Sequence, residues 1–393
     1  MLDVSESNRL VGLDLARGLA VFGMFWVHLN PHVDVLPFLF EVPDGRSSIL
    51  FATLAGVSIA LMSGGTTPLC GLALIRVRHR IALRGVVVFV IGVGLLLLRT
   101  PIAVILPSYG LLFVLVLPFL RCRRRTVLLY AIGTALLGPV ALITLMRWLL
   151  PEGLTEFALR YDPLSILTGT GLIDMVMTGA FPVFTWLPYI LAGMAVGRSD
   201  VKRLRRGVLA GAGIVLATAG YLGSSIVLEV LSLPATLVAS DAIGTTPVPA
   251  WSSQLYAYPH SGTTFEIIAG FGVALVVIDI SLVIAKNVPR LARPLVAVGA
   301  MPLTVYVAQA LALLLPIFAS DGTTAVYVCP VFVFVTSALA MAWLHVHRRG
   351  PLESVIHRLT VSRDAAGAGR QSVCETKGSS ARPNRSTRRS RGT

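Results

Sequence analysis

Apolar stretches separated by short polar runs recur along the chain and predict about ten hydrophobic spans, near 11–29, 48–63, 80–99, 102–120, 126–149, 182–198, 207–231, 262–285, 295–318 and 325–345. A helix needs roughly 20 apolar residues to cross a bilayer, and several spans fall short, which predicts tilt or broken helices. Pro182 and Pro188 are expected to kink or interrupt the sixth span, because proline lacks the amide N–H and crowds the preceding turn. The pattern predicts an all-α polytopic integral membrane protein with both termini in the cytoplasm. It divides into a cytoplasmic N-terminus over 1–10, a multi-pass domain over 11–360 and a basic cytoplasmic tail over 361–393. The Ser/Arg/Gly-rich tail lacks the apolar content for a core and reads as disordered.

Composition supports the membrane class. Of 393 residues 55% are hydrophobic and only 13% charged, with mean hydropathy +0.80. A soluble domain this apolar could not cover its surface with polar groups. The net charge of +14 does not point to nucleic acid, because the basic residues sit in short runs between spans. Arg76 to Arg80, Arg121 to Arg125, Arg198 to Arg206, Lys286 to Arg293 and His345 to Arg349 fall in alternate loops. The other loops hold Asp34, Glu41, Asp44, Glu152, Glu156, Asp162, Asp174, Asp241 and Asp321. This is the charge asymmetry of a cytoplasmic face against anionic lipid. Cys70, Cys122, Cys329 and Cys374 show no metal spacing, and the sequence predicts neither a disulfide framework nor a metal site.

Chemistry concentrates in the first span, where Leu19 to Val27 is apolar or glycine while Asp14, Arg17 and His28 are ionisable. Such groups are costly within a membrane and are functional candidates by default. Eleven residues at about 100° each return His28 to within about 20° of Arg17's face, about 16 Å further along the axis. Asp14, three residues before Arg17, can pair with it on the same face. A long molecule with an anionic head could lie along this face, phosphates at Arg17 and reactive end at His28. The bland readings stay open: Arg17 as a positive-inside anchor, His28 as an interfacial cap. His260 lies in an aromatic-rich loop, before a helix start that Ser261 or Thr263 could cap. There is no phosphate-binding glycine loop, no Gly-x-Ser-x-Gly elbow and no His-Glu-x-x-His pair.

The run Arg9-Leu-Val-Gly-Leu-Asp-Leu-Ala-Arg-Gly18, followed by His28, resembles the first helix of polytopic membrane acyltransferases. It is similar to that of the heparan-α-glucosaminide N-acetyltransferase-like proteins and of the type-3 membrane acyltransferases. The stretches 45–56, 187–198, 299–306 and 349–353 resemble a bacterial branch of those relatives. The resemblance implies a multi-pass enzyme of the cytoplasmic membrane that takes an acyl group, usually acetyl, from acyl-CoA as co-substrate. The acceptor would be an extracytoplasmic sugar or a lipid-linked molecule. It implies catalytic roles for His28, Asp14 and Arg17, with CoA phosphates near Arg17, Arg76, Arg78 and Arg80. The acceptor would meet Arg46, Asp44, His260 and Trp186. His28 would be the general base or a transient acyl carrier, with an unperturbed pKa of about 6.5. Two other classes stay open: a permease using Asp14, Arg17 and His28 as a substrate or proton path, and a non-catalytic scaffold.

Overall fold

With no water to satisfy backbone amides in a bilayer, long apolar segments must close their hydrogen bonds internally, and helices do so. A computed structural model of the chain describes residues 11–29, 42–149, 161–199, 207–234, 250–318 and 322–361, and no β-strand occurs among them. The helices are α1 (Val11–Leu29), α2 (Arg46–Met62), α3 (Gly71–Leu97), α4 (Leu106–Leu115), α5 (Arg124–Leu149) and α6 (Val183–Gly197). They continue as α7 (Val208–Val230), α8 (Thr264–Asn287), α9 (Pro289–Ala300), α10 (Pro302–Ala312), α11 (Gly322–Val346) and α12 (Pro351–Val361). The N-terminal segment, the tail, Lys202 to Arg206, and Asp34, Glu41, Glu152, Glu156, Arg160, Asp241 and Asp321 lie outside the described residues.

Six helices, α1, α3, α5, α7, α8 and α11, are long and apolar enough to cross a membrane. The bent pair α9–α10 makes a seventh if counted as one span, while α2, α4 and α6 are shorter apolar helices. The protein is a multi-pass helical membrane protein. The ten sequence-predicted spans thus coincide with six full-length helices, three short ones and one broken pair.

Two boundaries differ from the sequence reading. The span expected over 295–318 is broken at Met301, and α9 and α10 meet at 78°. Met301 precedes Pro302, whose ring disfavours the helical region for its neighbour, and Met301 takes φ −134°, ψ 52°. The basic run 76–80 lies within α3 rather than in a loop, since arginine sustains a helix and nothing breaks it after Gly71. Pro188, by contrast, sits inside a continuous α6. The carbonyl it cannot satisfy, on Phe184, faces Gly138 of α5, about 3.0 Å from where a Cβ there would stand. Cys70 also departs from expectation, being disulfide-bonded, while Cys122 and Cys329 are free thiols.

Buried share separates inside from outside. In α1 61% of the spanning window is buried, against 17% in α11 and 22% in α7, so α1 is central and the other two present apolar side chains to lipid. Around α1 pack α2, α8, α9 and α11. Glycines permit the closest approaches, as expected where helices associate by van der Waals fit rather than by expelling water. A Cβ on Gly299 of α9 would collide with the Asp14 carbonyl, and one on Gly18 with the Leu295 carbonyl. Likewise Gly56 of α2 lies against the Ile190 carbonyl, and Gly193 of α6 against that of Thr53.

Candidate functional site

Arg17 and Ser58 meet across α1 and α2, and Gly23 of α1 lies against Ser47. The two helices therefore run antiparallel, and the Arg17 face of α1 is turned to α2. Arg17 pairs with Asp14, which is 1% exposed, and donates to Ser58 Oγ at 2.7 Å. The i,i+3 pairing predicted from sequence is present. Two glycines set it up, because Gly18 and Gly299 let α9 press on the backbone beside Asp14.

At this end a cavity of about 70 Å³ is lined by Arg17, Ser58, Arg84, Phe51, Phe113 and Pro302, among others. Arg84 of α3 brings a second guanidinium, and its Nε is buried without a hydrogen-bond partner. Arg76, Arg78 and Arg80 do not line the cavity. They lie one to two turns earlier on α3, and Arg80 acts electrostatically on His357 of α12. The sequence reading missed Arg84, although an arginine four residues past Arg80 within an apolar run was its signal. The floor is fastened by Glu353 of α12. Its carboxylate accepts from Leu303 N at 2.8 Å, Thr304 N at 3.1 Å and Thr304 Oγ1 at 2.6 Å, capping α10 from another helix.

The same end collects further basic residues. Arg198 donates to the carbonyls of Ser63 at 3.2 Å, Gly65 at 2.9 Å and Leu120 at 2.5 Å, and to Ser63 Oγ at 2.9 Å. It ties the last turns of α2 and α6 to the end of the α4 segment.

At the opposite end His28 Nδ1 is buried without a hydrogen-bond partner, as is His260 Nδ1. The two imidazoles are close enough for their charges to interact. His260 takes φ 61°, unusual for a non-glycine residue. Glu266 holds it there, accepting from His260 N at 2.6 Å and Gly262 N at 2.6 Å, while Thr263 Oγ1 accepts from Glu266 N at 3.1 Å. Thr263 thus caps the start of α8, while the Glu266 carboxylate reaches back past it to the loop before the cap. Thr263 is one of the two caps the sequence suggested, and its partner Glu266 was legible from the Thr-x-x-Glu spacing but was not read. His260 Nε2 lies 3.8 Å from Asp44 Oδ1.

Next to this pair opens a cleft of about 370 Å³, lined by Asp44, Arg46, Tyr221, Ser224, Tyr256 and Tyr258, among others. Gly45, at φ 65°, turns the chain into α2 and lies against Pro259. Trp186 is 4% exposed and one ring removed, packing on Phe181, which packs on His260 with centroids 5.4 Å apart. The structure thus gathers His28, His260, Asp44 and Arg46 at one end of the bundle and Asp14, Arg17 and Arg84 at the other. Among the described residues no three His, Cys, Asp or Glu side chains come together as a metal set.

Residues 197–363 match a protein family described as "Protein of unknown function (DUF418)". No curated protein matches the chain.

Proposed function

We propose that this membrane bundle, with a cationic cavity at one end of its central helix and two imidazoles at the other, is an acyltransferase. It moves an acyl group, acetyl in the simplest case, from cytoplasmic acyl-CoA to a hydroxyl or amine on an extracytoplasmic sugar or lipid-linked acceptor. The observation that carries the reading is the division of α1: Arg17 opens with Arg84 into one cavity, and His28 lies at the far end, where Pro259 and His260 pack on the start of α2. Phosphates suit two guanidinium groups in an apolar cavity, where charge-assisted bonds are strong. Asp14 orients Arg17, and Arg76, Arg78 and Arg80 extend the cationic track along α3.

In the transfer step the acceptor O–H attacks the thioester carbonyl carbon while His28 takes its proton. The C–S bond breaks, a C–O ester bond forms, and the proton passes from His28 to the departing thiolate, leaving the CoA thiol. Asp44, Arg46 and His260 hold the acceptor, with Trp186 supporting them through Phe181, and no metal is called for. The basic residues Arg17, Arg84 and Arg198 gather at one end, which supports a cytoplasmic location for it under the positive-inside rule. Ten passes through the cell membrane with both termini inside complete the proposed topology.

Purified protein supplied with radiolabelled acetyl-CoA tests the reading. We expect thioester turnover, reduced about 100-fold or more in His28→Ala and by a raised KM in Arg17→Ala. Full turnover in His28→Ala would remove the proposed base. A permease is the second reading, favoured by the 78° break between α9 and α10, a device that lines substrate paths in transporters. Uptake of an unaltered substrate into proteoliposomes without label transfer would select it.

A further inference from the structure

The cleft at the His28 end borders lipid. Tyr221, Ser224, Ser225 and Leu228 of α7 line it, and their i, i+3, i+4, i+7 spacing puts them on one helical face. Immediately round the helix Leu222 and Ile226 are 56% and 57% exposed. On a membrane-crossing helix such side chains meet acyl tails. Ser225 is itself exposed and lies between the cleft face at Tyr221 and this apolar pair, so a polar cleft gives directly onto the hydrocarbon through a hydroxyl.

The facing wall presents a cation held in a fixed plane. Arg46 Nε donates to the Tyr221 hydroxyl at 2.9 Å, the guanidinium carbon stands 5.4 Å over the Tyr221 ring, and Nη1 donates to the Asp44 carbonyl at 3.3 Å. A planar guanidinium fixed in this way is suited to a phosphate group. The Asp44 carboxylate leans instead toward His260. About 370 Å³ falls at the small end of ligand pockets. It accommodates one headgroup rather than a length of polymer.

We infer that the acceptor is the phosphate-linked headgroup of a membrane lipid, which enters the cleft sideways past Ser225. Its phosphate lies on Arg46, its tails follow Leu222 and Ile226, and its hydroxyls reach past Tyr256 and Tyr258 toward His260. The chemistry done to the headgroup rests on the acyltransferase reading, whereas the binding does not.

Native mass spectrometry of the full chain in detergent tests this with three probes: dioleoyl phosphatidylglycerol, dioleoylglycerol and glycerol 1-phosphate. The phospholipid should be retained at least ~10-fold better than either the tails or the headgroup alone. Arg46→Gln should weaken its retention ~10-fold or more, and Arg46→Lys less, because a point charge loses the fork. Ser225→Trp, a change at the exposed rim, should obstruct the phospholipid while leaving glycerol 1-phosphate unaffected. If glycerol 1-phosphate binds as well as the phospholipid, and Ser225→Trp changes neither, the ligand is a soluble phosphate and the inference fails. It also fails if phospholipid binding is indifferent to both Arg46→Gln and Ser225→Trp. Loss of the enzyme reading through His28→Ala would leave these binding results standing, so the two failures are distinguishable.

Discussion

Arg17 of α1 donates across the helix interface to Ser58 of α2 at 2.7 Å, and this contact determines what the central helix can present. With Asp14 on its other side, the guanidinium is aimed at the cavity it shares with Arg84. Replacing Arg17 by alanine would leave a buried Asp14 carboxylate without that cation, at a cost of about 3–5 kcal/mol. Arg17→Lys keeps the charge and is the better probe of function. We expect Arg17→Lys and Arg84→Gln to raise KM for acyl-CoA about tenfold with little change in kcat, the signature of lost ground-state binding. Steady-state kinetics in detergent checks it.

The contact between α1 and α9 leaves no room for a methyl group. Gly299→Ala would drive a Cβ into the Asp14 carbonyl, and a neighbouring backbone yields far less readily than a side chain. We expect a loss of about 1–3 kcal/mol or more, seen as a lowered Tm. Gly133→Ala, where a Cβ meets open space, should be neutral or slightly stabilising through higher helix propensity.

Glu266 shapes the loop that carries His260. Glu266→Gln keeps the size but turns one acceptor oxygen into a donor facing the backbone N–H of either His260 or Gly262. We expect a stability loss of about 1–3 kcal/mol and a larger proportional loss of activity, because His260 leaves its φ 61° geometry. Thermal unfolding measured beside acyl transfer separates the two effects.

His357 of α12 gives a pH signature away from the membrane spans. Partial burial, then the cations Arg349 and Arg80, hold its imidazole below the usual histidine value. The unfolded chain therefore binds a proton more readily than the folded one. Stability should decline as pH falls below about 6.5 and stop declining below the lowered folded value. His357→Gln removes this component, so its Tm should fall less than that of the parent between about pH 7.5 and 5. Parallel curves would remove His357 as the source.

Much of the architecture was legible because bilayer physics writes it into the sequence as apolar length. The four stretches singled out by resemblance also meet, in two pairs. Residues 45–56 pack on 187–198 through Gly56 and Gly193, and 299–306 join 349–353 through Thr304 and Glu353. The Asp14–Arg17 pair followed from helical spacing alone. The break at Met301 was not read, although Pro302 carried the signal, because the apolar pattern runs through it without a pause. Arg84 stayed hidden because hydropathy averages over a single charge, and only the packing of α3 against α4 and α12 shows which cavity it enters. That His260 comes to the His28 end of the bundle depends on how distant segments pack, which no local pattern encodes.

The central claim is that one helix links a donor site on one side of the membrane to an acceptor site on the other. Sealed proteoliposomes with the Arg17 end outward, radiolabelled acetyl-CoA outside and acceptor lipid enclosed within test it most directly. The account predicts label on the enclosed acceptor, lost in His28→Ala while acetyl-CoA still binds. Label appearing only when donor and acceptor share one compartment, or equally in His28→Ala, would contradict it.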